Sequence, residues 1–280
     1  MCRNRRERIA LSVIQDILRF LDAQGEVPAL YGSYHVISLA IMVLLTVWFC
    51  KIAGKHDAEC VRRVVLWTAI IVVVLEVYKQ VNYSFGYEDG ITFDYTWYAF
   101  PWQFCSTPMY VGLLAGLTKP GKFHDALCAY LATFAIFAGL AVMLYPGNVY
   151  TTTVGINFQT TVCHGSMVVI GGYLYASGHV KMEHKTILKA LPVFCVTAAI
   201  AIVLNEIANM AGLSEEGFNM FYFSPYGEPN LPVYSSVQQV VDYPWSLIIY
   251  IVGFTGLAYL MLLIAMGIGK LAKKKTKVAA

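Results

Sequence analysis

The sequence predicts an all-α polytopic membrane protein: seven transmembrane helices preceded by an amphipathic helix lying in the membrane interface. Three observations lead there. Of 280 residues, 58% are apolar and only 13% charged, where soluble domains average about 25% charged. Seven windows, near 33–52, 64–82, 97–118, 126–145, 154–177, 187–210 and 246–268, are apolar enough over the roughly 20 residues that a helix needs to cross a bilayer core. No β-barrel alternation accompanies them, and only helices or closed barrels satisfy the backbone in lipid.

The chain divides into a basic tail and interfacial helix over 1–30, a seven-helix domain over 31–270 and a basic cytoplasmic tail over 271–280. In the first segment Ala10, Val13, Ile14, Ile17, Leu18 and Leu21 form one stripe at helical spacing, while Glu7, Arg8, Ser12, Gln15 and Arg19 fall largely elsewhere on the wheel. That pattern suits a helix in the headgroup region. It is not a signal peptide, because Gln15, Asp16 and Arg19 interrupt the apolar run and no small-residue cleavage site follows.

Loop charges set the orientation. Lys51, Lys55, Arg62 and Arg63 follow span one, Lys119 and Lys122 follow span three, and Lys181, Lys185 and Lys189 follow span five. The C-terminal tail adds Lys270, Lys273, Lys274, Lys275 and Lys277. The connections after spans two, four and six hold only Lys79 against Glu88, Asp89, Asp94, Glu215, Glu216, Glu228 and Asp242. The positive-inside rule then puts the C-terminus in the cytoplasm and the N-terminus outside. Arg3, Arg5, Arg6 and Arg8 lie beyond the ~15–20 residues from a span end over which that rule counts. With loops of opposite sign on opposite faces, the net charge of +3 gives no reason to expect a nucleic-acid partner.

Span two ends on Glu76 and Lys79, three residues apart and able to pair on one helix face. Span three opens on YAFPWQFCSTPMY, residues 98–110, with Gln103 and Cys105 near its start. Pro101 fits the first turn of a helix. Pro108 cannot bond the carbonyl of Phe104, so a kink beside Cys105 is expected about 12 Å into the span. Span five carries Asn157, Gln159 and His164 in its first half, and span six carries Asn205, Glu206 and Asn209 near its end. All these polar groups share the outer half of the bilayer, whereas the inner halves are nearly pure Val, Ile, Leu, Ala and Phe. Singly each is an ordinary interhelical hydrogen-bonding group. Together they predict a polar cavity open to the outside, because ionisable groups within spans are costly. Glu206 has no cation nearby on its own helix and needs a cross-helix partner, with Lys79 a candidate, or a raised pKa.

His164 lies ~15 Å from the same surface as Cys105, so the two form a candidate nucleophile and base, with the thiolate as the reactive species. Against this stands a lone histidine serving as a hydrogen-bonding strut. Cys163 adjoins His164 but faces about 100° away and is the weaker nucleophile. The stretch 218–234, FNMFYFSPYGEPNLPVY, is too aromatic for a solvated loop, and Pro225, Pro229 and Pro232 deny it a helix. It reads as a lid over the cavity or as a plug packed on the bundle. The seven cysteines (2, 50, 60, 105, 128, 163, 195) contain no CxxC pair, so neither a disulfide framework nor a metal site is expected, and no cofactor is implied.

Seven spans, the Pro101-to-Cys105 element opening the third and His164–Gly165 in the fifth together resemble the YwaF family of bacterial integral membrane proteins, related to transmembrane protein 164 of animals. The animal relatives are regarded as acyltransferases that move a fatty acyl chain between glycerophospholipids through a cysteine and a histidine. The resemblance implies the same roles for Cys105 and His164, with membrane phospholipids and lysophospholipids as partners and a bacterial plasma membrane as location. It also implies that Gln103, or a backbone N–H at the kink, could stabilise the oxyanion. Asn157, Asn205 or Glu206 could orient the imidazole. Many bacterial members carry histidine where this chain has Gln103. Two other classes compete: a transporter relaying protons or solute through Glu76, Lys79, His164 and Glu206, and a seven-helix sensor. Inverted repeats would favour the transporter, and none is visible. A retinal protein is disfavoured because span seven has no lysine before Lys270.

Overall fold

The computed structural model describes residues 5–88, 90–227 and 231–278. Cys2, Arg3, Asp89, Glu228 and Pro229 lie outside the described residues. In chain order the elements are α1 (Arg5–Leu21), α2 (Ser33–Ala53), α3 (Ala58–Asn82), a short hairpin of β1 (Phe85–Gly86) and β2 (Thr92–Phe93), α4 (Thr107–Leu117), α5 (Lys122–Leu144), α6 (Val154–Ala176), α7 (Lys185–Met210), α8 (Tyr234–Val240) and α9 (Trp245–Val278). The protein is an all-α membrane protein. Four helices, α2, α5, α7 and the 245–272 part of α9, are long and apolar enough to cross a membrane. The other expected windows fall in α3, α4 and α6. Of these, α3 and α6 carry the polar residues and α4 has only 11 residues.

The bundle is arranged for an apolar surrounding. Leu44 on α2, Trp67 on α3, Val203 on α7 and Val252 on α9 point outward and exposed. Glu76, Gln103, Asn157, Gln159, His164 and Asn205 are buried. This inversion of the usual pattern, with polar groups inside, is what lipid as solvent selects. α5 runs along the core, and Leu131–Ala135 within it form a π-helical turn whose residues are all buried. One close approach positions the site: a Cβ at Gly139 of α5 would lie 2.5 Å from the carbonyl oxygen of His164 on α6. Only glycine lets the two backbones meet there.

α1 is helical over Arg5–Leu21. Leu18 is buried while Val13, Ile14, Ile17 and Phe20 stay uncovered by protein. Its end is tied down where the Tyr78 hydroxyl donates to the Leu21 carbonyl at 2.7 Å and the Thr153 hydroxyl donates to Asp22 at 2.9 Å.

The third window departs from expectation. Pro101 does not open a helix, and Pro108 does not kink one. Trp97–Ala99 make a single 3₁₀ turn, residues 101–106 run as turns, and the helix begins at Thr107 with Pro108 in its first turn. The residue before a proline is pushed out of the helical region, and Phe100 duly has φ −50, ψ 133. Pro108 then takes the position where a missing N–H costs nothing. The Phe104 carbonyl is satisfied by the Thr107 hydroxyl at 2.8 Å. Cys105 therefore sits in irregular backbone ahead of a helix rather than at a bend within one.

Candidate functional site

That irregular backbone is matched by a second one. The segment around Met220–Tyr222 enters the bundle interior, with Met220 and Phe221 fully buried and Phe218 and Phe223 nearly so. Phe221 packs against Phe104, Phe194 and Phe223. Phe221 and Tyr222 adopt φ of +61 and +55, strained for side-chain-bearing residues. This part of the aromatic stretch packs on the bundle as a plug. Non-helical backbone at such depth needs every polar group satisfied by protein, and two amide side chains do this. Asn205 of α7 accepts from the Met220 N–H at 2.7 Å and donates to the Met220 carbonyl at 3.0 Å. Gln103 donates to the Asn219 carbonyl and accepts from the Phe221 N–H, both at 2.8 Å.

These contacts redirect several expectations. Gln103 has both ends of its amide on the plug rather than on a reacting oxygen. Asn205 holds the plug, not an imidazole. Asn157 holds the loop before its own helix, accepting from the Thr151 N–H and donating to the Thr151 carbonyl, each at 2.8 Å. Glu206 is only half-buried and accepts from the Tyr226 hydroxyl at 3.2 Å, which pushes that exposed phenol's pKa up. Lys79 is not its partner. The short, forked amides suit paired backbone groups, and each of the three holds a backbone N–H and a backbone carbonyl.

Lys79 instead pairs with Glu76 on α3, Nζ to Oε1 at 2.8 Å, with both side chains largely buried. The carboxylate also accepts from Gln80 at 2.8 Å and from Gln159 of α6 at 3.3 Å, which meets the desolvation cost of a buried charge pair. Tyr95 extends the network by donating to Gln80 Oε1 at 2.6 Å. Burial, with the Glu76 charge adding to it, pushes the Tyr95 phenol up to about 12.

The Lys79 charge reaches Cys105, Cys163 and His164 alike, and Glu76 reaches both cysteines. Glu76, Lys79, Cys105, Cys163 and His164 thus share one electrostatic neighbourhood. His164 is buried, and its Nδ1 lies 2.7 Å from the Thr160 carbonyl one turn earlier. A carbonyl can only accept, so Nδ1 carries the proton and Nε2 the lone pair. Nε2 is buried and has no hydrogen-bond partner among the described residues. Cys105, half-buried, does not bond it in this state. Beside the cluster a cavity of about 390 Å³ lies between α3 and α4, lined by Glu76, Gln80 and Ser84 on one part and by Val73, Val77, Tyr110 and Leu113 on another. Cys163 faces a much smaller void of about 30 Å³ with Pro108 and Met109.

One cluster is not apparent from the sequence. His124, Cys128 and His179 bring their ligand atoms within 4.8 Å of one another. The local signal was HDALC, residues 124–128, whose i, i+4 histidine and cysteine share a helix face. The third member comes from the loop after α6, which spacing alone does not reveal.

Neither the curated proteins nor the solved structures contain a match. A model of the TMEM164 family does match, over residues 30–266. That interval takes in α2 to most of α9, the plug and every member of the buried cluster, and the chain belongs to the TMEM164 family.

Proposed function

We propose that the protein is a lipid acyltransferase of the YwaF branch, moving a fatty acyl chain between glycerophospholipids through Cys105 and His164. The observation that carries this reading is the state of His164: a buried imidazole with Nδ1–H committed to a carbonyl and Nε2 holding an unshared lone pair. A strut would have both nitrogens occupied, as His35 does, with its ring nitrogens 2.9 Å from the Tyr31 N–H and 2.8 Å from the Met143 carbonyl. An unpartnered Nε2 is instead the arrangement of a resting general base.

In the proposed reaction Nε2 takes the Cys105 proton and the thiolate attacks a phospholipid ester carbonyl. The C–O bond breaks, the imidazolium returns its proton to the departing lysophospholipid oxygen, and a thioester remains on Cys105. A lysophospholipid hydroxyl, deprotonated by the same nitrogen, then attacks the thioester and regenerates the thiol. Lys79 supplies positive charge for the thiolate and the tetrahedral intermediate. The cavity between α3 and α4 has a polar part for a headgroup and an apolar wall for a chain. Substrate binding has to close the gap between thiol and imidazole, as catalytic contacts that are loose in a resting state often do. Exclusion of bulk water favours transfer over hydrolysis.

Around this chemistry we place seven spans, with α3, the 97–117 segment and α6 crossing beside the four long apolar helices. α1 lies in the interface through Val13, Ile14, Ile17 and Phe20. The N-terminus faces outward and the C-terminus faces the cytoplasm of a bacterial cell, so outer-leaflet phospholipid and lysophospholipid are the partners.

The test is acyl transfer followed by mass spectrometry, using purified protein in nanodiscs with labelled phospholipid and lysophospholipid. Wild type is compared with Cys105→Ala and His164→Ala, each checked for folding. The reading expects transfer in wild type and loss in both variants. Full activity in Cys105→Ala would reject the nucleophile, and a wild type inert across a broad lipid panel would move the assignment to a transporter.

A further inference from the structure

The His124–Cys128–His179 cluster belongs to a different part of the molecule from the site above. His179 follows the end of α6, and the twelve residues from His164 to Ala176 span ~18 Å of helix. His124 and Cys128 are each about 1% exposed on α5. His179 comes from the turn after Gly178, whose φ of +72 lets the chain reverse towards α5.

The hydrogen positions are constrained. His124 Nδ1 lies 3.0 Å from the Ala115 carbonyl, so it is the protonated nitrogen and Nε2 carries the lone pair. Two groups face that one lone pair: His179 Nε2 at 2.7 Å and Cys128 Sγ at 3.5 Å. A single lone pair cannot serve two donors well, whereas one cation would satisfy all three atoms at once. The backbone carbonyl behind Nδ1 is also the outer partner that metal-bound histidines ordinarily have. Asp125 adds negative charge next to both Cys128 and His179.

We propose that His124 Nε2, Cys128 Sγ and His179 Nε2 bind a zinc ion, with water in the fourth position. Zinc takes imidazole and thiolate ligands tetrahedrally at ~2.0–2.1 Å and ~2.3 Å, which sets ligand nitrogens roughly 3.3 Å apart and nitrogen and sulfur roughly 3.6 Å apart. The His124–Cys128 pair already stands at that spacing. The two imidazoles have to separate by about 0.6 Å to reach it, and His179 Nε2, within 4.8 Å of Cys128 Sγ, has to settle at the nitrogen–sulfur spacing, movements that fall to the Gly178–His179 turn. On binding, Cys128 loses its proton to solvent and the ion links the start of α5 to the loop between α6 and α7. This site is independent of any acyl transfer at Cys105.

The experiment uses the full-length protein in detergent, stripped with chelator, then titrated separately with Zn(II) and Co(II). Expected are one zinc per chain by elemental analysis and a thiolate-to-cobalt charge-transfer band. Cys128→Ser should lose the band, His179→Ala should weaken zinc binding by at least about tenfold, and Cys60→Ser should change neither. Because His179 lies in a loop, that variant is expected to keep the helical circular dichroism of wild type, so weak binding cannot be confused with unfolding. Folded wild type that holds no stoichiometric zinc and gives no cobalt band would overturn the proposal. So would undiminished binding in folded His179→Ala.

Discussion

Gln103 brackets Phe221: its side-chain nitrogen donates to the Asn219 carbonyl and its side-chain oxygen accepts from the Phe221 N–H, each at 2.8 Å. A side-chain amide within one irregular segment is thereby joined to the backbone of a second irregular segment over a hundred residues away. Gln103→Leu keeps the bulk and removes both bonds. With each orphaned buried group costing about 1–3 kcal/mol, the two together cost roughly 2–6 kcal/mol, read as a lower thermal unfolding midpoint in detergent. A midpoint equal to wild type would mean that the plug holds without its clamp.

The Glu76–Lys79 pair predicts a non-additive result. Lys79→Met leaves a largely buried carboxylate with neutral amide partners only, and breaking such a pair costs about 3–5 kcal/mol. The double variant Glu76→Leu/Lys79→Met removes both charges and should recover most of that stability while losing acyl transfer. If the double variant keeps transfer, Lys79 has no part in stabilising the thiolate.

Gly139→Ala tests the approach of α5 to α6. The added methyl would meet the His164 carbonyl oxygen at 2.5 Å, and backbone cannot rotate away as a side chain can. Overpacking of this kind costs about 1–3 kcal/mol and would displace His164. The expected signature is a larger fall in transfer rate than in folded yield. Gly253→Ala, where nothing lies within 4 Å, serves as the silent comparison.

If Cys105 carries the acyl group, incubation with labelled phospholipid but no lysophospholipid should leave a hydroxylamine-sensitive adduct on the peptide containing Cys105. His164→Gln should slow its appearance by about 10²–10⁴-fold, the usual worth of a positioned base. An adduct on Cys163 instead would exchange the roles of the two cysteines.

Much of the architecture was legible because lipid imposes a simple rule on composition: apolar windows at helix length lie in helices at 33–53, 122–144, 185–210 and 245–278. The burial of Glu76, Gln103, Asn157, Gln159, His164 and Asn205 was legible for the same reason, since each stands out against leucine and valine. Their partners were not. Periodicity says nothing about the 219–221 backbone coming back into the bundle, so the sequence points Gln103 and Asn205 towards chemistry, whereas their amides hold a plug. The prolines misled in the same way: Pro101 and Pro108 mark a break before a helix, but a sequence cannot say on which side the helix lies. His124, Cys128 and His179 were hidden by distance along the chain.

The bracketing of Phe221 by Gln103 also orders events at the ribosome. The two are 118 residues apart, and at 5–20 residues per second roughly 6–24 s of synthesis separate them. Through that interval the 97–117 segment has no plug to satisfy its amide, and its 11-residue helix reaches only ~16 Å, about half a bilayer core. Nascent chains truncated before residue 219 should therefore expose this segment to the insertion machinery or to proteases, and release should await the later helices.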